Sequence, residues 1–292
     1  MTVGKNTVRY AQVGIGHRSL MFADAMGGPH RGSAELVAMG DANRGRLELR
    51  NKYMKEKYGY PDIAPYGAAD FETMLRNHTP DIVLVTAGPD AVHDDLIVRA
   101  MEAGCDVVTE KPMTIDAARC QRIVDASART GKSVRVTFNY RYSPPRSQLK
   151  ELLDSGLIGD VVSVDFEWAL DTSHGADYFR RWHRKKANSG GLMVHKSTHH
   201  FDLMNWWLSK KPVAVDIEPR TGTGGHGGGD TVMLADIFDP DAAQDPLKRA
   251  AGIGDGSYSI LVGIAANESM KTGRSIAIPG MVHNIPTSSW ER

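Results

Sequence analysis

Glu110-Lys111-Pro112 closes an apolar run, Asp106-Val-Val-Thr109, with a charged pair and a proline. In an open α/β sheet, ligands collect at the carboxyl ends of the strands. A lysine placed there can carry a proton or anchor a developing negative charge. The plainer alternative is a surface ion pair between Glu110 and Lys111. Further along, Gly190-Gly191 precedes His195, Lys196, His199, His200 and Asp202. On one continuous helix, His195, His199 and Asp202 share a face by i, i+4 and i+3 spacing. Two histidines and an acid on one face suit proton transfer. They would also suit zinc, but no glutamate stands between the histidines as in the hydrolytic zinc helix, and no metal is expected.

A third group lies near the start. Gly14-Ile15-Gly16-His17-Arg18-Ser19 follows an apolar strand pattern and opens a helix pattern. The first glycine suits a tight turn, and the second allows backbone to approach a pyrophosphate. The helix N-terminus adds N–H donors. Ser19 stands where a third glycine or alanine is usual. Asp41, 22 residues after Ser19, ends the next strand pattern and can accept from ribose hydroxyls. Its charge opposes a 2′-phosphate, so NAD is expected and NADP less so, with Arg44 and Arg46 softening the preference.

Positioning these groups requires alternating strands and helices. Strand patterns cover Val8–Ile15, Glu35–Met39, Asp81–Thr86, Asp106–Thr109 and Ser133–Phe138. Helix patterns cover Arg18–Met26, Arg44–Tyr58, Ala91–Ala103 and Thr114–Arg129, the last with Thr114 as N-cap. The fold class is therefore α/β, with a doubly wound parallel sheet over residues 1–140. Residues 141–292 read as a C-terminal α+β domain whose open sheet is short. Helices are expected over Arg146–Ser155, Gly190–Leu208 and Tyr258–Met270. Strands are expected over Val161–Leu170, Val213–Ile217, Thr231–Phe238 and Ser275–Ile278. Asp171–Ser189 reads as a polar loop able to close over a ligand through Arg180, Arg181, His183 and Lys185. The glycine run Gly222–Gly229 reads as a connector.

Composition sets the outer bounds. Lys+Arg and Asp+Glu both count 35, so nothing favours nucleic acid or an anionic membrane as partner. Two cysteines, Cys105 and Cys120, make no disulfide framework and suit a reducing compartment. No signal-peptide or membrane-spanning pattern is present, and a cytoplasmic protein is expected.

The spaced series Thr86-Ala-Gly-Pro89 with His93, Glu110-Lys111-Pro112, and Phe138-Asn139-Tyr140-Arg141 resembles the Gfo/Idh/MocA family, that of glucose–fructose oxidoreductase and inositol dehydrogenase. The resemblance runs from about Val8 to Leu208 and resumes at Tyr258–Met270. It implies a Rossmann domain, a nicotinamide cofactor, a small carbohydrate substrate and a possible homo-oligomer. It implies that Gly14, Gly16, His17, Arg18, Asp41, Thr86, Pro89, His93, Glu110 and Lys111 hold the cofactor. Substrate would meet Lys111, Asn139, Arg141, His195, Lys196, His199 and Asp202. Relatives carry an aspartate four residues before a histidine base; here the base falls on His199 and the aspartate position on His195. Lys111, His199 and His195 are thus the implied catalytic residues. The activity implied is NAD-dependent hydride transfer at a hydroxyl-bearing carbon of a sugar, polyol or glycoside. The alternative is an NAD-dependent glycoside hydrolase that oxidises C3 transiently, eliminates, hydrates and reduces again.

Overall fold

The computed structural model describes residues 7–168, 175–215, 230–239 and 245–291. Short apolar runs buried on both faces build a six-stranded parallel sheet. Its strands are β1 (Val8–Val13), β2 (Ala34–Gly40), β3 (Ala64–Tyr66), β4 (Ile82–Val85), β5 (Asp106–Thr109) and β6 (Val134–Val136). The order is β3-β2-β1-β4-β5-β6, so chain direction across the sheet reverses between β1 and β4. A crevice at the carboxyl ends of those two strands is the expected ligand position. Helices α1 (Leu20–Gly27), α2 (Arg44–Tyr58), α3 (Phe71–His78), α4 (His93–Glu102) and α5 (Ala117–Thr130) connect the strands. Two of these elements, β3 and α3, have no counterpart in the sequence reading. Helix α5 is capped by Asp116, whose Oδ1 accepts from Arg119 N at 2.9 Å, and not by Thr114, which lies buried ahead of it.

Beyond the sheet come α6 (Pro144–Asp154), α7 (Asp177–Arg180), α8 (Lys186–Ser189), α9 (Leu192–His195) and α10 (Thr198–Leu208). Then follow β7 (Ala214–Val215), α11 (Asp230–Phe238), α12 (Ile253–Thr272) and β8 (Ile276–Ala277). Strands β7 and β8 pair antiparallel, and they are the only sheet in this half among the described residues. One apolar core runs unbroken from Val83, Val107 and Val136 of the large sheet to Val194 of α9 and Ile260, Leu261 and Ala265 of α12. A backbone bond from Val136 N to Ala251 O, 2.8 Å, joins the sheet edge to the segment before α12.

Four expectations are corrected. Residues 161–168 form no strand; they lie along the surface, with Val162 96 % exposed. Alternation alone does not hold a strand without a neighbour to pair with. Thr231–Phe238 is helical, being most of α11, and Phe238 packs edge-on against Tyr10 at 5.1 Å and Phe22 at 6.4 Å. A short apolar run cannot separate buried helix from buried strand by periodicity. The Gly190–Leu208 helix is broken at Lys196-Ser197 into α9 and α10. The 171–189 stretch, where described, contains the short helices α7 and α8 in place of a plain loop. The connector expected at Gly222–Gly229 lies outside the described residues.

Candidate active site

The glycine turn is built for close approach. Gly14 has φ +88° and donates N–H to Gly40 O at 2.8 Å. A Cβ there would fall 2.2 Å from Ala87 Cα, so only glycine fits. A Cβ on Gly16 would meet nothing within 4 Å, so the backbone here faces open space. Ser19 Oγ donates to Gly16 O at 2.6 Å, and Arg50 Nη2 donates to Ser19 Oγ at 3.1 Å. Ser19, the departure from the glycine fingerprint, thus acts as a buried latch on the loop. Arg50 was not singled out from sequence, because a basic residue inside a charged helix looks solvated. Asp41 Oδ2 accepts from Ile15 N at 2.6 Å and its Oδ1 from Asn43 N at 2.7 Å. It pins the loop from the end of β2. Thr86 Oγ1 donates to Gly14 O at 2.7 Å and closes the β4 side. Arg18 reaches across the crevice to Glu110 at 2.9 Å, while His17 is exposed beside it. The open space over Gly16, the helix start and Asp41 together fit a dinucleotide such as NAD.

Lys111 lies just past β5, with cis peptide bonds at Gly88-Pro89 and Lys111-Pro112. Its Nζ donates to His195 O at 3.1 Å. Burial pulls the ammonium below its usual range, opposed by the charges of Glu110 and Asp90. His93 faces two backbone carbonyls, Pro112 O at 2.9 Å and Ala87 O at 2.8 Å. It braces the turns after β4 and β5 against each other; its ring nitrogens point at protein and not at a ligand. Pro89 is part of the same braced turn and is half-buried.

His195, at the end of α9, meets this strand end. Its Nδ1 contacts Asp90 Oδ2, and its ring lies edge-on to His183 at 4.7 Å, Tyr178 at 5.4 Å and Trp182 at 5.6 Å. Asp90 and the aromatic pair Tyr178 and Trp182 were missed from sequence. Asp90 reads as a turn residue, and no local pattern links it to a histidine 105 positions away. His183 stacks on Trp182 at 3.8 Å and is pulled down to about 4, first by burial and then by His195.

The shared face of His195, His199 and Asp202 does not form, because the helix breaks between the first two. His199 is buried, stacked on Tyr140 at 4.0 Å and edge-on to Phe138 at 6.1 Å. Asp202 pairs with Arg141, whose Nε donates to Asp202 Oδ2 at 2.8 Å. The same guanidinium reaches Asp255 at 3.2 Å and donates to Ser289 Oγ at 3.0 Å. Arg141 and Asp202 are fully enclosed, which corrects their expected substrate contact: they clamp α10 to α12 and to the 289–291 turn. Two carboxylates share one guanidinium there, and burial pushes Asp202 up to about 7 despite Arg141. Asn139 is buried in the turn before α6. Lys196 is buried at the helix break, its Nζ 3.3 Å from Tyr140 Oη, and burial brings it down to about 7 with help from Lys111 and Arg146. Among the described residues no three His, Cys, Asp or Glu side chains gather as a metal site.

Two family descriptions match the chain: "Oxidoreductase family, NAD-binding Rossmann fold" over residues 8–138 and "Oxidoreductase family, C-terminal alpha/beta domain" over residues 150–223. The oxidoreductase candidate YteT of Bacillus subtilis is 44% identical over 181 residues, 62% of this chain and 41% of that protein. The inositol 2-dehydrogenase of Rhizobium meliloti is 30% identical over 210 residues, 72% of this chain and 57% of that protein. The chain spans about half the length of the curated relatives it matches. Among solved structures, myo-inositol 2-dehydrogenase from Lactobacillus plantarum superposes with TM-score 0.73 at 17% identity, covering 93% of this chain and 99% of that one. Scyllo-inositol dehydrogenase from Lactobacillus casei, with bound NAD(H) and scyllo-inositol, gives 0.70 at 16%, covering 94% and 99%. At these identities the structures speak to the fold.

Proposed function

The chain belongs to the Gfo/Idh/MocA family of oxidoreductases, and from that premise we propose that it oxidises a secondary hydroxyl of a cyclic polyol or sugar with NAD. One observation carries the reading: Lys111 Nζ donates to His195 O at the carboxyl end of β5, on the same edge of the sheet as the glycine turn and one strand removed from it. Two stretches distant in sequence meet where a dinucleotide and a hydroxylated ligand would also meet. Bound NAD would supply the hydride acceptor. The chain's own residues do the proton work. His195 takes the hydroxyl proton, and Lys111, next to it, stabilises the alkoxide that forms. A lysine whose burial lowers its proton affinity also hands on a proton more readily. His195 here takes the part that family resemblance assigns to His199, which is enclosed by Tyr140 and Phe138. A carboxylate at the end of β2, as Asp41 is, supports NAD over NADP, since a 2′-phosphate brought near it would add a second negative charge. The relatives named inositol 2-dehydrogenase make cyclic polyols the first substrates to try.

The test incubates the purified chain with NAD or NADP and with myo-inositol, scyllo-inositol, glucose or p-nitrophenyl glycosides. Absorbance at 340 nm and nitrophenol are followed together. NADH formation with a polyol supports the reading. Nitrophenol release without NADH would replace it with the redox-neutral glycosidase. His195→Gln and Lys111→Met should each lower kcat by about 10²–10⁴. Loss of turnover in His199→Gln with His195→Gln active would reverse the assignment of the base.

A further inference from the structure

The carboxylate beside His195 does not come from its own helix. Asp90 opens the turn after β4, on the sheet side of the crevice, and its Oδ2 faces His195 Nδ1 from 105 residues away. Asp90 is 4 % exposed, and the His195 side chain is 11 % exposed. Each partner is held from behind. The Asp90 turn is braced by His93, which also faces the carbonyl of Pro112. Trp182 lies over the same turn, its ring 3.2 Å from where a Gly88 Cβ would stand. His195 is held through its carbonyl by Lys111.

We propose that Asp90 is the positioning carboxylate of the site, so that the proton acceptor is an Asp90–His195 pair assembled across the crevice from two separate parts of the chain. This rests on the reading of His195 as proton acceptor given above. An ionised Asp90 accepts Nδ1–H and fixes the tautomer, which makes Nε2 the basic nitrogen of the ring. On oxidation the substrate O–H bond breaks and its proton moves to Nε2. The C–H bond breaks as well, and its electron pair leaves with the hydride for the nicotinamide. The alcohol becomes a carbonyl, and His195 becomes an imidazolium that Asp90 stabilises.

The groups facing the pair are Lys111 and Glu110 from the end of β5, His93 from α4, and His183 and Tyr178 from the segment before α8. Burial pushes Asp90 up to about 7, against the pull of His93, Lys111 and His183. The pair therefore loses its negative charge as pH falls through neutrality, and turnover should fall with it.

The experiment begins on cofactor-free protein. Histidine ring ¹⁵N spectra are recorded, with the His195 signals identified by their loss in His195→Gln. The wild-type chain at pH 8 should show His195 protonated at Nδ1 and bare at Nε2. In Asp90→Asn the His195 titration should move to lower pH by about one unit or more. Its kcat should drop about 10²-fold or more, with the dissociation constant for NAD within about twofold of wild type. Asp90→Glu, which keeps the charge, should recover part of the loss. An Nε2-protonated His195 in the wild type, or an unmoved titration in Asp90→Asn, overturns the proposal. If Asp90→Asn does not fold, the wild-type tautomer still decides. A chain that binds NAD and oxidises no polyol refutes the proposed function while leaving the tautomer to judge the pair.

Discussion

Gly14 and Gly16 are the same residue type two positions apart, and the structure gives them opposite constraints. Gly14 is confined by φ +88° and by the Ala87 backbone, whereas Gly16 has empty space where a side chain would go. Gly14→Ala should therefore lower stability by about 2 kcal/mol or more, through left-handed strain and a backbone clash. Gly16→Val should leave the melting temperature near wild type and abolish NAD binding, since its side chain fills the space a pyrophosphate needs. Calorimetry with and without NAD separates the two; a Gly16→Val chain that still binds NAD would remove the glycine turn from the cofactor site. These residues were legible in sequence because their signal is local: strand, turn, helix start and an acidic residue at the next strand end. Lys111 was legible for the same reason. Asp90 was not, since its role depends on a histidine brought in by tertiary folding. Arg141 and Asp202 were expected at the substrate from the family resemblance, but matching positions cannot tell a substrate contact from a buried pair.

Elements follow the same division. The five strands expected for the nucleotide-binding half all form, because continuous apolar runs bounded by turns identify buried parallel strands. The second half misled where the pattern depended on partners. Residues 161–168 alternate like a strand and remain unpaired, and the His195 helix breaks where a single period was expected to continue. What positions α9 is instead the glycine face of α12. A Cβ on Gly263 would fall 2.6 Å from Met193 O and 3.1 Å from Val194 N, so the two helices touch backbone to backbone. Gly263→Ala must push α9 away from α12, and His195 is the last residue of α9. The expected cost is about 1–3 kcal/mol in urea unfolding, together with a fall in kcat larger than any change in the affinity for NAD. Unchanged kcat in a destabilised Gly263→Ala chain would show that α9 tolerates the shift and that His195 needs no such fine placement.

At the scale of the whole molecule, an aromatic cluster around Tyr140 stands apart from the core that the two halves share, and pH is a way to probe its packing. His200, on α10, is 6 % exposed and stands among Tyr140, Phe166 and Trp168 at ring distances of 5.7, 5.0 and 4.8 Å. Burial, with Lys196, Arg146 and Lys111 nearby, pulls its imidazole from 6.5 down to about 3. The folded chain thus keeps His200 neutral at a pH where the unfolded chain protonates it. For a depressed pKa, the stability is fully present above the unfolded value and is lost as pH falls towards the folded one. The window runs from about 6.5 to about 3, and the loss from this residue should reach about 2 kcal/mol by pH 5. Asp90 and Asp202, both pushed up to about 7 by burial, titrate over the same range in wild type and in His200→Phe, so the difference between the two isolates the histidine. Urea midpoints measured from pH 8 to 5 should fall more steeply for wild type than for His200→Phe. Parallel curves would mean that water or a proton reaches the ring in the folded chain, and that the aromatic enclosure on α10 is looser than its contacts imply.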